Sequence, residues 1–296
     1  MQPIAHVKEI WRYPVKSMGG ESIEQAGLTP IGINGDRLWT VVDADGEIKS
    51  ARQWPKLIEM TASYKSQAVI NEKTYTDDVP DVAINIPEHP SISSRSAETN
   101  EVLGRFLDKD CRLEPLRPPS DTDFYIPPKE RNLDNLAKEL DHLEGEGEFD
   151  FSQTPDEVFE ILGRYMTPPG TFFDSLPLHM VSTQSLSYLA QHSEADVNRA
   201  RFRPNILLDF VDESFDKPEF ELLDKRIRIG DVIILIRGKT IRCSIPSRPQ
   251  PLLGLGPDRK MTRAMVDLFE RHVGVYANIE TGGVIKVGDP IYIETE

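Results

Sequence analysis

The chain has 296 residues, 39% hydrophobic and 28% charged, and 49 acidic against 34 basic residues give it a formal charge of −15. That composition is globular and argues against a nucleic-acid surface, which is normally basic. No stretch reaches the roughly 18 uncharged apolar residues of a membrane helix. The opening Met1-Gln2-Pro3-Ile4-Ala5-His6 has no basic leader or apolar region, and two cysteines make no disulfide framework. A cytoplasmic location is expected.

In chain order the sequence predicts mostly short strands broken by Gly, Asp and Pro. Ile4, Val7, Ile10 and Trp11 mark a first strand, and Pro14 limits its far end. Leu38–Val42 and Gly46–Lys49 flank Asp43-Ala44-Asp45, a hairpin pattern. Val82-Ala83-Ile84-Asn85-Ile86 alternates as a half-buried strand does, and a helix over 99–108 follows, with Val102, Leu103 and Phe106 on one face.

Between Pro115 and Gly170 the texture changes to Pro-Pro pairs around an acidic run, Glu144-Gly145-Glu146-Gly147-Glu148, read as a solvated connection. Thr154, Pro155 and Glu157 form a capping box for a helix. Strands return over Leu178–Val181, Ile206–Phe210, Ile227–Ile236 and Val284–Ile293. Ile229-Gly230-Asp231 and Val287-Gly288-Asp289 echo one another as turns between strands, the pattern of a barrel with tight connections. A helix over 258–272 presents Met261, Met265, Leu268 and Phe269.

Several signatures are missing: a Gly-rich phosphate loop ending in Lys-Ser/Thr, paired zinc cysteines, and His-Glu-x-x-His. His179 lies in an apolar strand, where a hydrogen-bonded core histidine is the ordinary case. Cys243 follows Arg242 where a strand gives way to the loop Ser244-Ile245-Pro246. A neighbouring guanidinium favours the thiolate, a nucleophile and soft-metal ligand, although a lone cysteine is ordinarily a small buried hydrophobe. Lys16, Arg37, Arg52, Arg201 and Arg203 stand beside chain-bending residues, where loops present binding groups. Taken singly, each is also an ordinary surface cation. Ser182-Thr183 precedes a helical stretch, so hydroxyls and free backbone amides there suit an anion.

The motifs taken together resemble the MOSC family. At the N-terminal end they are Tyr13-Pro14-Val15-Lys16-Ser17, Gly35-Asp36-Arg37-Leu38-Trp39 and Ala51-Arg52-Gln53-Trp54-Pro55-Lys56-Leu57. Further on stand Arg203-Pro204-Asn205, Ile229-Gly230-Asp231, Arg242-Cys243, Gly274-Val275-Tyr276 and Gly283-Val284-Ile285-Lys286-Val287-Gly288-Asp289, in the family's order. The resemblance implies a mainly β chain with a few helices and two barrel-like domains. One is an N-terminal barrel over 1–117; the other is a MOSC barrel over 118–296, with 118–153 as a mobile connection.

It also implies a molybdenum cofactor, Mo-molybdopterin, between the domains. Cys243 becomes the thiolate ligand of the metal and the catalytic residue, and Lys16, Ser17, Arg37, Ser182, Arg203 and Asn205 contact phosphate and pterin. The expected activity is reduction of N-hydroxylated or related N- or S-oxygenated small molecules. The alternative is a non-catalytic carrier of cofactor or sulfur. In the reductases of the family a Thr-Thr-Val-Asp-Pro type of stretch follows the cysteine. Here Ser244-Ile245-Pro246-Ser247-Arg248-Pro249 stands, which leaves the substrate open. No four-cysteine cluster motif is present, so electrons are expected from a separate donor protein of flavin reductase, ferredoxin or cytochrome type. No nucleic-acid or membrane partner is expected.

Overall fold

The computed structural model describes residues 2–65, 75–129, 140, 142–152 and 156–294. The N-terminal part contributes β1 (Ala5–Arg12), β2 (Glu21–Ile23), β3 (Gln25–Thr29), β4 (Gly32–Ile33), β5 (Trp39–Asp43), β6 (Thr61–Tyr64), β7 (Val82–Ile86), β8 (His89–Ser93) and β9 (Cys111–Pro115). Its short sheets, β5-β9 and β6-β7-β8, are stitched by isolated bridges Val15↔Trp39 and Gly19↔Thr61 to the segment that crosses between them. They enclose a core of Met18, Leu38, Leu57, Ile58, Met60 and Leu103. β7 alternates buried and half-buried residues along its length, as its period-2 sequence requires. The helix Thr99–Leu107 buries Val102 and Leu103. Asp43 closes the expected turn: Gly46 N donates to Asp43 O at 3.1 Å, and the return limb reaches the sheet at the Val42↔Ile48 bridge.

The second core lies inside a closed barrel. Its strands are β10 (Leu178–Ser182), β11 (Ile206–Phe210), β12 (Arg226–Ile229), β13 (Val232–Ile241), β14 (His272–Thr281) and β16 (Pro290–Ile293), while β15 (Gly283–Lys286) leaves to pair with β3. The order β11-β10-β14-β13-β12-β16-β1 closes on itself through the β1–β11 pairing, so the chain's first strand completes a barrel built mostly from its last third. Ile206, Leu208, Ile234, Ile236, Val275 and Ala277 fill the interior. Outward-facing residues alternate with them, and on β14 these include Tyr276 and Asn278.

The two echoed Gly-Asp turns behave differently. Gly230 (φ 59°) joins β12 to β13 as a paired hairpin, with Ile229 opposite Val232. Gly288 (φ 90°) instead separates β15 from β16, which go to different sheets. The helix Arg259–Phe269, capped by Asp258, packs Met261 and Met265 against Val181, Phe202 and Val273 outside the barrel. The acidic run is not wholly solvated. The Glu146 side chain is 8% exposed and ion-pairs with Arg271, whose guanidinium also donates to Leu140 O at 2.7 Å. The capping residues expected at 154 and 155 lie outside the described residues; the helix Asp156–Arg164 follows them.

Candidate functional site

Ser17, Arg37 and Arg203 all hold left-handed backbone conformations, with φ of 68°, 51° and 56°. Such conformations cost a non-glycine residue about 1–3 kcal/mol and persist only where the surroundings dictate them. The surroundings here are a hydrogen-bond network centred on Tyr13 and Asp36. Tyr13 N donates to Asp36 Oδ1 (2.7 Å), and Arg37 N donates to Tyr13 O (2.8 Å). The Tyr13 hydroxyl donates to Pro204 O at 2.9 Å, beside the residue that ends the short helix Arg199–Phe202. The other Asp36 oxygen accepts from Arg37 Nη1 and from Asn205 Nδ2 (3.1 Å). Asn205 is fixed in turn by its amide, which donates to His179 O at 2.7 Å. Ser17 Oγ accepts from Ala51 N at 3.0 Å.

Around this network cations gather against the protein's general charge. Lys16 Nζ lies 2.6 Å from Asp174 Oδ1 and 2.9 Å from Phe172 O. Burial draws the Lys16 ammonium down to about 8 against the pull of Asp174. The Asp174 side chain is 42% exposed; desolvation pushes its carboxyl up, but Lys16 and Arg52 outweigh that and hold the acid well below the usual carboxylate range. Arg203 is 8% exposed, donates to Met18 O and lies 4.3 Å over the Tyr13 ring. Among the described residues no carboxylate lies within ion-pair distance of it, and burial lowers this guanidinium to about 10. A buried cation with only carbonyl and ring partners is costly, and an incoming anion relieves that cost. The Arg37 guanidinium sits 5.4 Å from both the Tyr13 and Phe173 rings.

Cys243 comes from the barrel side, just past the end of β13. It is half-buried and packs against the N-terminal core. Arg242 N donates to Arg271 O (2.9 Å), and Arg242 Nη2 donates to Phe202 O (2.8 Å). Its Nη1 meets His179 Nε2 at 3.3 Å, while its buried Nε has no hydrogen-bond partner among the described residues. Burial, reinforced by Arg242, holds His179 well below its ordinary value, so the ring is neutral. Gly274 makes this packing possible: with φ of 82°, a Cβ there would fall 2.5 Å from Met180 O and 2.7 Å from His179 Nε2. Tyr276 stands 5.6 Å from the His179 ring and within electrostatic range of Arg242, Asp174, Cys243 and Arg37. It therefore joins the cationic loops of one half to the cysteine of the other.

The structure brings Lys16, Ser17, Arg37, Arg203 and Asn205 together and sets Cys243 on the adjoining wall. Ser182 lies elsewhere: fully buried, its hydroxyl accepts from Ser185 N (2.9 Å) and donates to Glu219 Oε2 (2.5 Å). Cys111 is buried in the N-terminal core. Arg201 is wholly internal and binds carbonyls of Asp196 (2.8 Å), Pro246 (3.1 Å) and Gly256 (3.0 Å), clamping the loop that follows Cys243. Arg201→Ala should lower the unfolding free energy by about 3 kcal/mol in urea denaturation, because those carbonyls lose a charged donor. A change within error would mean that the loop holds without its clamp.

Asp174 and Tyr276 are the members that sequence reasoning missed. Tyr276 stands inside a matched motif, whereas His179 is the buried, hydrogen-bonded core histidine its apolar strand predicts. Asp174 carried only one weak signal, a carboxylate directly after Phe172-Phe173.

The profile of the MOSC N-terminal beta barrel domain matches residues 4–107, and that of the MOSC domain matches residues 168–292. Human mitochondrial amidoxime-reducing component 1 is 24% identical over 316 aligned positions, covering 99% of this chain and 84% of that protein. Rat mitochondrial amidoxime reducing component 2 is 25% identical over 307, with the same coverage. Among solved structures, the YUAD protein from Bacillus subtilis aligns over 99% of this chain and 96% of its own, with a TM-score of 0.45 and 12% identity.

Proposed function

Because the chain belongs to the MOSC family, with that family's N-terminal barrel and MOSC domains in order, we propose that it is a molybdenum-cofactor reductase of N-hydroxylated or related N- or S-oxygenated small molecules. The observation that carries this reading is the buried Arg203 guanidinium, which makes no ion pair among the described residues, beside Lys16 and Arg37 and set against the wall that bears Cys243. Those groups fit a phosphate-bearing pterin. Lys16 acts as a point charge, and Arg37 and Arg203 offer planar forks of donors. Asn205 and Ser17 add neutral polar contacts. A thiolate at Cys243 suits a soft metal whose remaining ligands come with the cofactor.

When bound, the molybdenum centre supplies the two electrons that, with two protons, convert an N–OH group to N–H and water. The protein's share is orientation and electrostatics. Burial keeps the Tyr276 hydroxyl protonated, so it can donate a hydrogen bond within electrostatic range of Cys243. The Arg242 clamp on Phe202 O and His179 fixes the strand end from which Cys243 projects. With Cys111 and Cys243 as its only cysteines, the chain has no iron–sulfur ligand set, so a separate flavin reductase, ferredoxin or cytochrome-type protein delivers the electrons. Among the described residues no helix is long and apolar enough to cross a membrane.

Protein purified from a host that makes the cofactor, grown with molybdate, should carry molybdenum and pterin near one per chain. It should reduce hydroxylamine- or amidoxime-type compounds with an artificial electron donor. Material lacking both metal and pterin after denaturing extraction would sink the reading. Loaded protein without turnover would make it a carrier.

A further inference from the structure

A half-open, largely apolar cavity of about 180 Å³ lies on the outer face of the barrel, next to the cationic site. Its lining includes Asn278, two residues along β14 from Tyr276 and on the same outward face, which places the two about 7 Å apart. It also includes Phe173, whose ring is 5.4 Å from the Arg37 guanidinium and whose neighbour Asp174 pairs with Lys16. The lining also takes in Ile31, from the turn between β3 and β4, with Val158, Ile161 and Leu162 from the helix Asp156–Arg164. The spacing of those helical residues puts them on one face.

The cavity is preformed. Phe173 is 3% exposed, and it is seated on Gly32, where φ is 108° and a Cβ would come within 2.7 Å of Phe173 Cζ. No larger residue at position 32 would let the ring lie there. The volume is close to that of an engineered apolar cavity of about 150 Å³ that holds benzene. One apolar ring fits, with Asn278 marking the side that faces Tyr276.

We infer that this cavity is the substrate's specificity pocket and seats a single aryl ring, leaving the N–O end on the Tyr276 side. Its role in turnover rests on the reductase reading; ring binding by itself does not. Substrates with a monocyclic aryl body gain from the pocket, whereas hydroxylamine, with no apolar body, does not use it.

The test uses the full-length protein and two variants, Leu162→Trp, which fills the cavity, and Ile31→Asp, which charges a wall residue already 40% exposed. Far-UV circular dichroism checks that both fold. Fluorobenzene observed by ¹⁹F NMR should broaden with the wild type, and its affinity should fall roughly tenfold or more in each variant, the scale of one lost apolar group in a pocket. In cofactor-loaded protein, KM for benzamidoxime should rise by a similar factor, while kcat and the KM for hydroxylamine hold. No response in the wild type, or one that survives both substitutions, overturns the pocket. An equal rise in KM for both substrates overturns its role in specificity. Ring binding that is lost in the variants, in loaded protein that reduces neither compound, upholds the pocket and removes the reductase reading instead.

Discussion

Replacing Cys243 with serine should leave most of the pterin bound and reduce turnover by more than about 100-fold, since even outer-shell partners of a metal cost roughly 10–100-fold when lost. The substitution exchanges a soft, polarisable sulfur for a hard oxygen that is scarcely ionised at neutral pH. Retention follows from the distribution of contacts, because Lys16, Arg37, Arg203 and Asn205 lie on loops that the substitution does not touch. Cys111→Ala is the control. Cys111 is buried opposite Asp43 in the N-terminal domain, and burial, with Asp110 nearby, pushes its thiol up to about 11. Molybdenum and pterin content, measured beside turnover, separates the roles. Full activity in Cys243→Ser removes the metal-ligand assignment. Loss of pterin together with activity makes the cysteine a holder of the cofactor rather than a tuner of its metal.

The strands that carry period-2 alternation were legible because burial on a sheet is a local pattern; Val82–Ile86 is the clearest case. The apolar face of the helix Arg259–Phe269 was legible for the same reason. Partnership was not. β1 reads as a strand from its residues, yet nothing local says that it closes a barrel against Ile206–Phe210, about 200 residues away, and Ala5–Arg12 would read the same in either domain. Glu146 likewise looks like one more solvated acid until Arg271 is brought to it through the fold.

The candidate site was legible where motif blocks held several of its members at once, as in Tyr13–Ser17 and Gly35–Trp39. The left-handed conformations of Ser17, Arg37 and Arg203 belong to residue types with no preference for positive φ, so tertiary contacts impose them and composition cannot show them. Ser182 shows the converse. Its hydroxyl suits a helix cap and an anion equally well, and the structure gives it to Ser185 N and Glu219.

Arg203→Met should move cofactor retention and the stability of cofactor-free protein independently of one another. Methionine keeps an unbranched stem to pack on Tyr13 and makes no new demand on the left-handed backbone beyond that of arginine, so the change removes the charge and the donor to Met18 O with little else. Retention should weaken by roughly 10–150-fold, the equivalent of about 1.5–3 kcal/mol for hydrogen bonds to a charged group. Without cofactor, the variant should unfold close to the wild-type denaturant midpoint, because the buried guanidinium makes no ion pair among the described residues and relief of its desolvation cost offsets the lost bond to Met18 O. Arg37→Met provides the contrast. Arg37 pairs with Asp36, whose side chain is fully buried, so its loss leaves that carboxylate with only the neutral donors Tyr13 N and Asn205 Nδ2 and should cost roughly 3 kcal/mol even in cofactor-free protein. Equilibrium denaturation of both variants, stripped and loaded, reads all four values. A structural Arg203 would instead lower the stability of the stripped protein and leave retention unchanged, and that pattern would move the phosphate site away from this arginine.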